Sequence, residues 1–440
     1  MDIYWIDLVV ILLYAVTVVY NGVKNVTGER YFEYYAFGRN KLSSTSIAYS
    51  MVTALIGANF IISNLSGYSM GMCYLIVSFV GEFCSFFIWG KVLSLKGITN
   101  SKYLSVCDTI EDMYGKKAAI ISGVIATLSS LLSVALQLFI CCDFLERCMG
   151  INKLLTCVFL CVLMLFYVTF FGIDSITRTN IFQVATMVVV FPILINIVFA
   201  DVIDVDNFLD SVKTINNLDS FGNVEISNML MIIFSLGCCP PVVHRRFIAS
   251  SGSQFYNAMK KTCICVVIFQ LFFMFLGACC AYVYTGNISI SGDVITNLVQ
   301  KMPHFFKGIV LAGMISIVLS SVDAHTHTGV VSFMYDVVRR FKGDIRSHND
   351  FLLRYARIGV VVFLVIATFM AVILGKVGFI MRLRVFWCFM VMIPTFIGII
   401  LLNKPNYMSW WVNILLFLLS YTLFDICNIK NLSSNDNMLL

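Results

Sequence analysis

The sequence predicts an all-α, polytopic membrane protein of about twelve transmembrane helices, ten of which form two inverted five-helix repeats. Three observations predict it. The chain has 440 residues, of which 60% are hydrophobic and only 12% charged, about half the charge that a water-facing domain carries. Its apolar residues gather into runs of roughly the 20 residues needed to cross a bilayer. Two of those runs, the second and the seventh, are interrupted by Gly, Asn or Pro in a similar fashion, and each begins a block of five.

Taken in order, the runs fall at residues 4–22, 43–65, 70–94, 118–140, 153–171, 179–202, 226–248, 258–285, 307–337, 352–375, 378–402 and 408–426. The first opens the chain without a basic leader or a small-residue cleavage site, so it reads as a retained span. The second contains Gly57, Asn59, Asn64 and Gly67, which weaken a regular helix. The seventh holds Gly237, Pro240 and Pro241 in its interior, where proline removes a helical hydrogen bond and clashes with the preceding turn. An odd number of spans per block inserts the two blocks in opposite orientations. Broken helices in corresponding positions of such repeats place free carbonyls and helix ends at the midplane, where ions and solutes bind. The ninth run carries Ser320, Ser321, Asp323, His325 and His327. Charged groups there cost about 2.5–3.5 kcal/mol each, so the segment is a functional candidate by default. One transport domain is expected over residues 1–440: an extra N-terminal helix and loop (1–42), a ten-helix core (43–402), and a C-terminal helix with a short tail (403–440).

Charges between the runs fix orientation, because Lys and Arg accumulate on the cytoplasmic side. Loops after odd-numbered spans hold Lys24, Arg30, Lys116, Lys117, Lys260, Lys261, Arg346 and Arg354 among others, whereas residues 203–225 carry Asp204, Asp206, Asp210, Asp219 and Glu225. Both termini are therefore expected outside, in a multi-pass protein of the plasma membrane, or of the inner membrane in a bacterium. The net charge of +6 gives no reason to invoke nucleic acid. Most of the 16 cysteines lie in apolar runs, where a thiol acts as a small hydrophobe. A structural bridge is not expected, and Cys141, Cys142 and Cys148 form the one cluster worth testing. No zinc-type pair and no nucleophile–base constellation appears, which argues against an enzyme.

Five motifs, in order, resemble those of the sodium:solute symporter family. Y-Y-A-F-G-R (Tyr34 to Arg39) is similar to Y-F-x-A-G-R, and S-G-Y-S-M-G (Ser66 to Gly71) to G-x-x-Y-x-x-G. G-I-D-S-I-T-R-T-N-I-F-Q (Gly172 to Gln183) resembles G-L-x-A-V-x-x-T-D-x-x-Q, and P-V-V-H-R-R-F-I-A (Pro241 to Ala249) resembles P-x-x-x-x-R-F-x-A. A-G-M-I-S-I-V-L-S-S-V-D-A-H resembles A-A-x-M-S-[ST]-x-D-S-Q, with Ser320, Ser321 and Asp323 in register. The resemblance implies the leucine-transporter fold and sodium-coupled symport of a small polar organic solute by alternating access. It also implies a lipid bilayer as surroundings and no obligate protein partner. A proton-coupled or a non-transporting sensory relative is the alternative. Family members often have thirteen or more spans, so the chain looks short at its C-terminal end, without the cytoplasmic signalling domain that a sensor would be expected to carry.

The family's Na+ site lies between the first broken helix and the eighth core helix, which corresponds to the ninth run here. The resemblance assigns the hydroxyls of Ser320 and Ser321 to it, together with the carbonyls of Ile317, Val52 and Leu55. Hydroxyl and carbonyl oxygens suit a small hard cation. Asn59 and Gln137 match polar solute-facing positions, with Gly237 and Pro241 at the second break. Gly237 stands where members often place an aromatic residue, which implies a wider or differently closed pocket. Asn180 replaces a motif Asp, which implies one sodium per solute. Asp323 and His327, four residues apart, share a helix face and are expected at a gate or coupling contact, with a proton relay as the other possibility.

Overall fold

The computed structural model describes residues 5–24, 31–38, 42–67, 71–95, 103–200, 233, 236–283, 296, 299–300, 302–342, 349–373, 387, 391–393, 395, 410–412 and 414–415. Every regular element among them is helical. Among the described residues, seven helices are long and apolar enough to span a membrane, or eight with one bent pair.

α1 (Trp5–Val23) is the first span. A short α2 (Phe32–Phe37) follows. The second span is two helices, α3 (Ser44–Leu55) and α4 (Ala58–Gly67), bent by 67°. α5 (Gly71–Leu93) matches the third span. The nine-residue α6 (Val106–Tyr114) lies in what the hydropathy reading leaves as loop, since it is too short and too polar to cross. α7 (Lys116–Met149) continues past the expected end at residue 140. Hydropathy stops at Asp143, yet the helix runs on because Arg147 pairs with Asp143 one turn back (2.9 Å) and Gly150 supplies a left-handed cap.

α8 (Lys153–Ala200) covers the fifth and sixth spans. Forty-eight helical residues would extend about 72 Å if straight, more than twice the roughly 30 Å of a bilayer core. The stretch breaks at Gly172 (φ 59°, ψ −143°), where a Cβ would strike the carbonyl of Tyr35. α9 (Pro240–Ile248) follows a 3₁₀ turn, Leu236–Cys238. The prolines are therefore not inside a helix, as the hydropathy run implies; they occupy the first turn of its second half, where a missing N–H costs nothing. α10 (Gly252–Val283), α11 (Phe306–Val331) and α12 (Asn349–Ile373) complete the long elements. α11 runs on through a π segment (Ser332–Val338) and one last turn (Arg339–Lys342). The expected spans at 378–402 and 408–426 lie outside the described residues apart from short pieces.

Two groups of helices pack together. α10 gathers α3, α4 and α5, while α7, α8, α12 and α1 surround α11. α3 joins the groups through α8 and α11. Every residue of α11 from Val310 to Val331 is buried, which is why its apolar and polar residues follow no one-sided pattern. Outer helices show the opposite: Leu13 and Val16 of α1, and Val365 and Phe369 of α12, project outward at 62–66% exposure, as lipid-facing side chains do.

Candidate functional site

The break between α3 and α4 releases main-chain groups. Ile56 N–H still donates to the Val52 carbonyl (2.8 Å), and Gly57 N–H donates to the Leu55 carbonyl (3.1 Å). Ala58 N–H, which a continuous helix would send to Ala54, donates instead to Oε1 of Gln137 on α7 at 2.7 Å. Gln137 thus caps α4 with its side chain and fills the space beside Gly57. The carbonyls of Thr53 and Ala54 consequently have no helical partner, and both meet α11. Ser321 Oγ donates to Ala54 O at 3.2 Å; Ser320 Oγ reaches Thr53 O at 3.5 Å and donates to Ile317 O at 2.8 Å. All of these residues except the half-buried Leu55 are buried, with Ser320, Ser321 and Val52 fully so.

The structure therefore brings Ser320, Ser321 and Ile317 against the 52–55 segment. It differs in detail from the motif register: the carbonyls aimed at the hydroxyls are those of Thr53 and Ala54, whereas those of Val52 and Leu55 accept main-chain bonds. Asn59 lies one residue beyond the break on α4, half-buried, with its Oδ1 unpartnered.

At the second break, Gly237 N–H donates to Ser85 Oγ of α5 (2.8 Å), and a Cβ on Gly237 would sit 2.7 Å from the Ser85 carbonyl oxygen. The absent side chain here admits the close approach of α5. Pro241 is buried in the first turn of α9. Trp387 donates its indole N–H to the Cys238 carbonyl (2.9 Å) and closes the break from the other side.

Beyond Ser321, α11 carries a buried polar cluster. Asp323 Oδ2 accepts from Tyr167 OH (3.2 Å) on α8, while His327 Nε2 meets the Tyr35 carbonyl (3.0 Å) and so carries that ring's proton. The two residues do not bond each other, which leaves the relay without a direct link and gives each its own anchor. His325 bonds the Ser321 carbonyl through Nδ1 (2.8 Å). Arg245 of α9, 1% exposed, donates through Nε to Ser50 Oγ (2.9 Å), which also receives Asn180 Nδ2 (3.1 Å). Asp323 Oδ1, His327 Nδ1 and Arg245 Nη2 are buried and unpartnered among the described residues. Tyr167 and Ser50 lie in no quoted motif, and Tyr35 lies in one, but nothing in the local sequence of any of the three indicates which buried group it will meet. Arg245 reads from the sequence as a loop charge at the cytoplasmic end of the seventh run, and the structure buries it instead.

One turn further, a cleft of about 380 Å³ is lined by Phe37, His244, Tyr335, Asp336 and Trp387. Its edge is an ion-pair network between α6 and the end of α11. Arg340 contacts Asp108 (2.7 Å), Glu111 (2.8 Å) and Asp336 (3.0 Å), and Arg339 shares Asp108 (2.8 Å). Ser105, which with Asp108 forms the capping box of α6, also donates to Asp336 (2.6 Å).

The sodium:solute symporter family model matches residues 34–404. Among solved structures, the chain is similar to a Na+-coupled sialic acid symporter in its substrate-bound outward-open state. The TM-score there is 0.81 at 15% identity, covering 92% of this chain and 88% of that one. It is also similar to MhsT in complex with L-phenylalanine (TM-score 0.56, 14% identity, 85% and 98% covered). A third likeness is to Mhp1, a nucleobase-cation-symport-1 family transporter in a closed conformation with bromovinylhydantoin bound (TM-score 0.54, 13% identity, 87% and 82% covered). At these identities the structures show a common fold. No curated protein matches in sequence.

Proposed function

We infer the mechanism from one premise: the chain belongs to the sodium:solute symporter family. It is a multi-pass membrane protein and a secondary transporter that couples sodium to the symport of a small solute. It is not an enzyme.

We propose that sodium binds where α11 meets the first break, with Ser320, Ser321 and the carbonyl of Ile317 on one side and carbonyls of residues 52–55 on the other. One observation carries this reading: the Ser320 and Ser321 hydroxyls converge on the helix-free carbonyls of Thr53 and Ala54. A hydroxyl that donates to a carbonyl presents a lone pair once its hydrogen turns away, so the same oxygens can surround a small hard cation. Val52 and Leu55 remain the motif's candidates, and their carbonyls need only release the Ile56 and Gly57 N–H groups. Asn180 in place of an acidic residue supports one sodium per cycle.

The solute is placed between the two breaks, near Asn59, Gln137, Gly237 and Pro241. It is a small polar organic molecule that exchanges contacts with the main-chain groups freed there. Sodium stabilises the outward-open form, and rocking of one helix group against the other exposes both ligands inside. Asp323 and His327, each tied to another helix, form with Arg245 the contact that opens on the cytoplasmic side. The orientation drawn from loop charges puts both termini outside the plasma membrane, with residues 43–402 as the transport core. Uptake into proteoliposomes under imposed sodium or proton gradients, screened over amino acids, sugars, carboxylates and osmolytes, tests the whole reading. Solute uptake driven by sodium is expected. Uptake driven by a proton gradient and indifferent to sodium overturns it.

A further inference from the structure

Glu82 lies at the centre of α5, eleven residues from either end of Gly71–Leu93, and is 5% exposed. At mid-membrane depth an ionised carboxylate without a partner is strongly unfavourable. Its Oε2 is buried and unpartnered, and no Lys, Arg or His bonds it among the described residues. Other polar groups on the same seam are also unsatisfied. Ser78, one turn away on the same face of α5, has an unpartnered hydroxyl, and Gln270 of α10 has neither amide atom bonded while being fully buried.

Helix register brings these groups together. A Cβ added at Gly90 of α5 would meet Tyr256 and Met259 of α10 at 3.2–3.3 Å, so the two helices are in close contact there. The numbering falls along α5 as it rises along α10, so the helices are antiparallel. Twelve residues along α5 lead from Gly90 to Ser78 and twelve along α10 lead from Ala258 to Gln270, which brings the two to about the same level. The seam is closed above: Phe269 and Phe273, flanking Gln270, pack on Phe191 of α8 at 5.4 and 4.7 Å, and Phe273 also meets Phe60 of α4 at 6.4 Å. Below, Ser85 is bonded to the second break through Gly237.

Among the described residues the seam offers a carboxyl, an amide and a hydroxyl, too few oxygens to replace the shell of a metal ion. A proton needs one carboxyl oxygen and one acceptor. We propose that Glu82 is a proton-binding site inside the moving helix group, its carboxyl held neutral in a seam whose other polar groups, the Ser78 hydroxyl and the Gln270 amide, are themselves unbonded. The group takes one proton from solvent to become the neutral acid and returns it when rearrangement of α5 against α10 opens the seam. Among the described residues, Cys263 on α10 interacts with the Glu82 charge, the 3₁₀ turn packed on α5 carries the thiol of Cys238, and α4 carries no titratable group. Neither thiol competes with a carboxyl for a proton at neutral pH. The protonation state rests on the seam alone; only its part in a transport cycle rests on the symporter reading.

Infrared spectra of the purified full-length protein in lipid nanodiscs test this directly. The wild type at neutral pH is expected to show a protonated-carboxyl C=O band that Glu82→Gln removes, Glu82→Asp shifts, and alkaline titration bleaches. Superimposable wild-type and Glu82→Gln spectra in that region overturn the proposal. If Glu82→Gln fails to yield a monodisperse protein, Glu82→Asp decides: a shifted band supports the site, an unmoved band sinks it. Because the readout needs no solute, failure of uptake in every gradient would instead count against the symporter reading.

Discussion

Removing the two hydroxyls of α11 separates a sodium ligand from a structural serine. Ser321→Ala deletes one hydrogen bond and leaves the Ala54 carbonyl buried without a partner, a stability loss of about 1–3 kcal/mol. Ser320→Ala costs less, because its 2.8 Å bond goes to a carbonyl of its own helix and the bond to Thr53 is long at 3.5 Å; about 0.5 kcal/mol is expected. Sodium affinity should move differently. An oxygen facing a cation is worth about 1.5–3 kcal/mol, so each substitution should weaken sodium binding by roughly 10- to 150-fold, with Ser320→Ala hurting affinity far more than stability. The assay is scintillation-proximity binding of radioactive sodium to purified protein, beside thermal unfolding in sodium and in potassium. For the wild type, sodium at about a hundredfold excess over Kd adds about 2.7 kcal/mol, and the double variant should lose that increment. A double variant that keeps the full sodium-dependent rise in unfolding temperature refutes the assignment. So does a wild type stabilised equally by potassium.

Three further outcomes follow from the packing. Gly237→Ala places a Cβ 2.7 Å from the Ser85 carbonyl, an overpacking cost of about 1–3 kcal/mol; a lowered unfolding temperature is expected, and an unchanged one would show that α5 does not press on the break. Arg340→Ala strips Asp108, Glu111 and Asp336 of their shared cation, and breaking such a buried set costs about 3–5 kcal/mol; size-exclusion yield should fall sharply, with Arg340→Lys intermediate. Cys142 and Cys157 have sulfurs 2.9 Å apart across α7 and α8, beside the part-exposed Asp143–Lys153 pair. Mild oxidation with a diazenedicarboxamide should join them, adding about 3 kcal/mol for a loop of this length. Peptide mass spectrometry without reductant reads the link, and its absence after full oxidation refutes the contact.

Sequence by itself determined what depends on solvent and on local backbone chemistry. Apolar runs located the membrane helices, Gly57 and the Pro240–Pro241 pair marked where helices break, and the Ser320–Ser321 pair marked which stretch of α11 faces the first break. Hydrocarbon and helix geometry impose these on any chain with that pattern. Tertiary structure decided what each polar group meets. Spacing put Asp323 and His327 on one helix face, but a shared face does not name its neighbours, and they pair with Tyr167 and Tyr35, over a hundred residues away in sequence. Gln137 caps α4, Gly237 admits α5, and Thr53 and Ala54 offer their carbonyls because Ala58 N–H has turned to α7. Glu82 stands out only once its surroundings are known. A carboxyl in an apolar run is visible in any sequence, but whether it is neutralised depends on long-range packing, which no local pattern encodes.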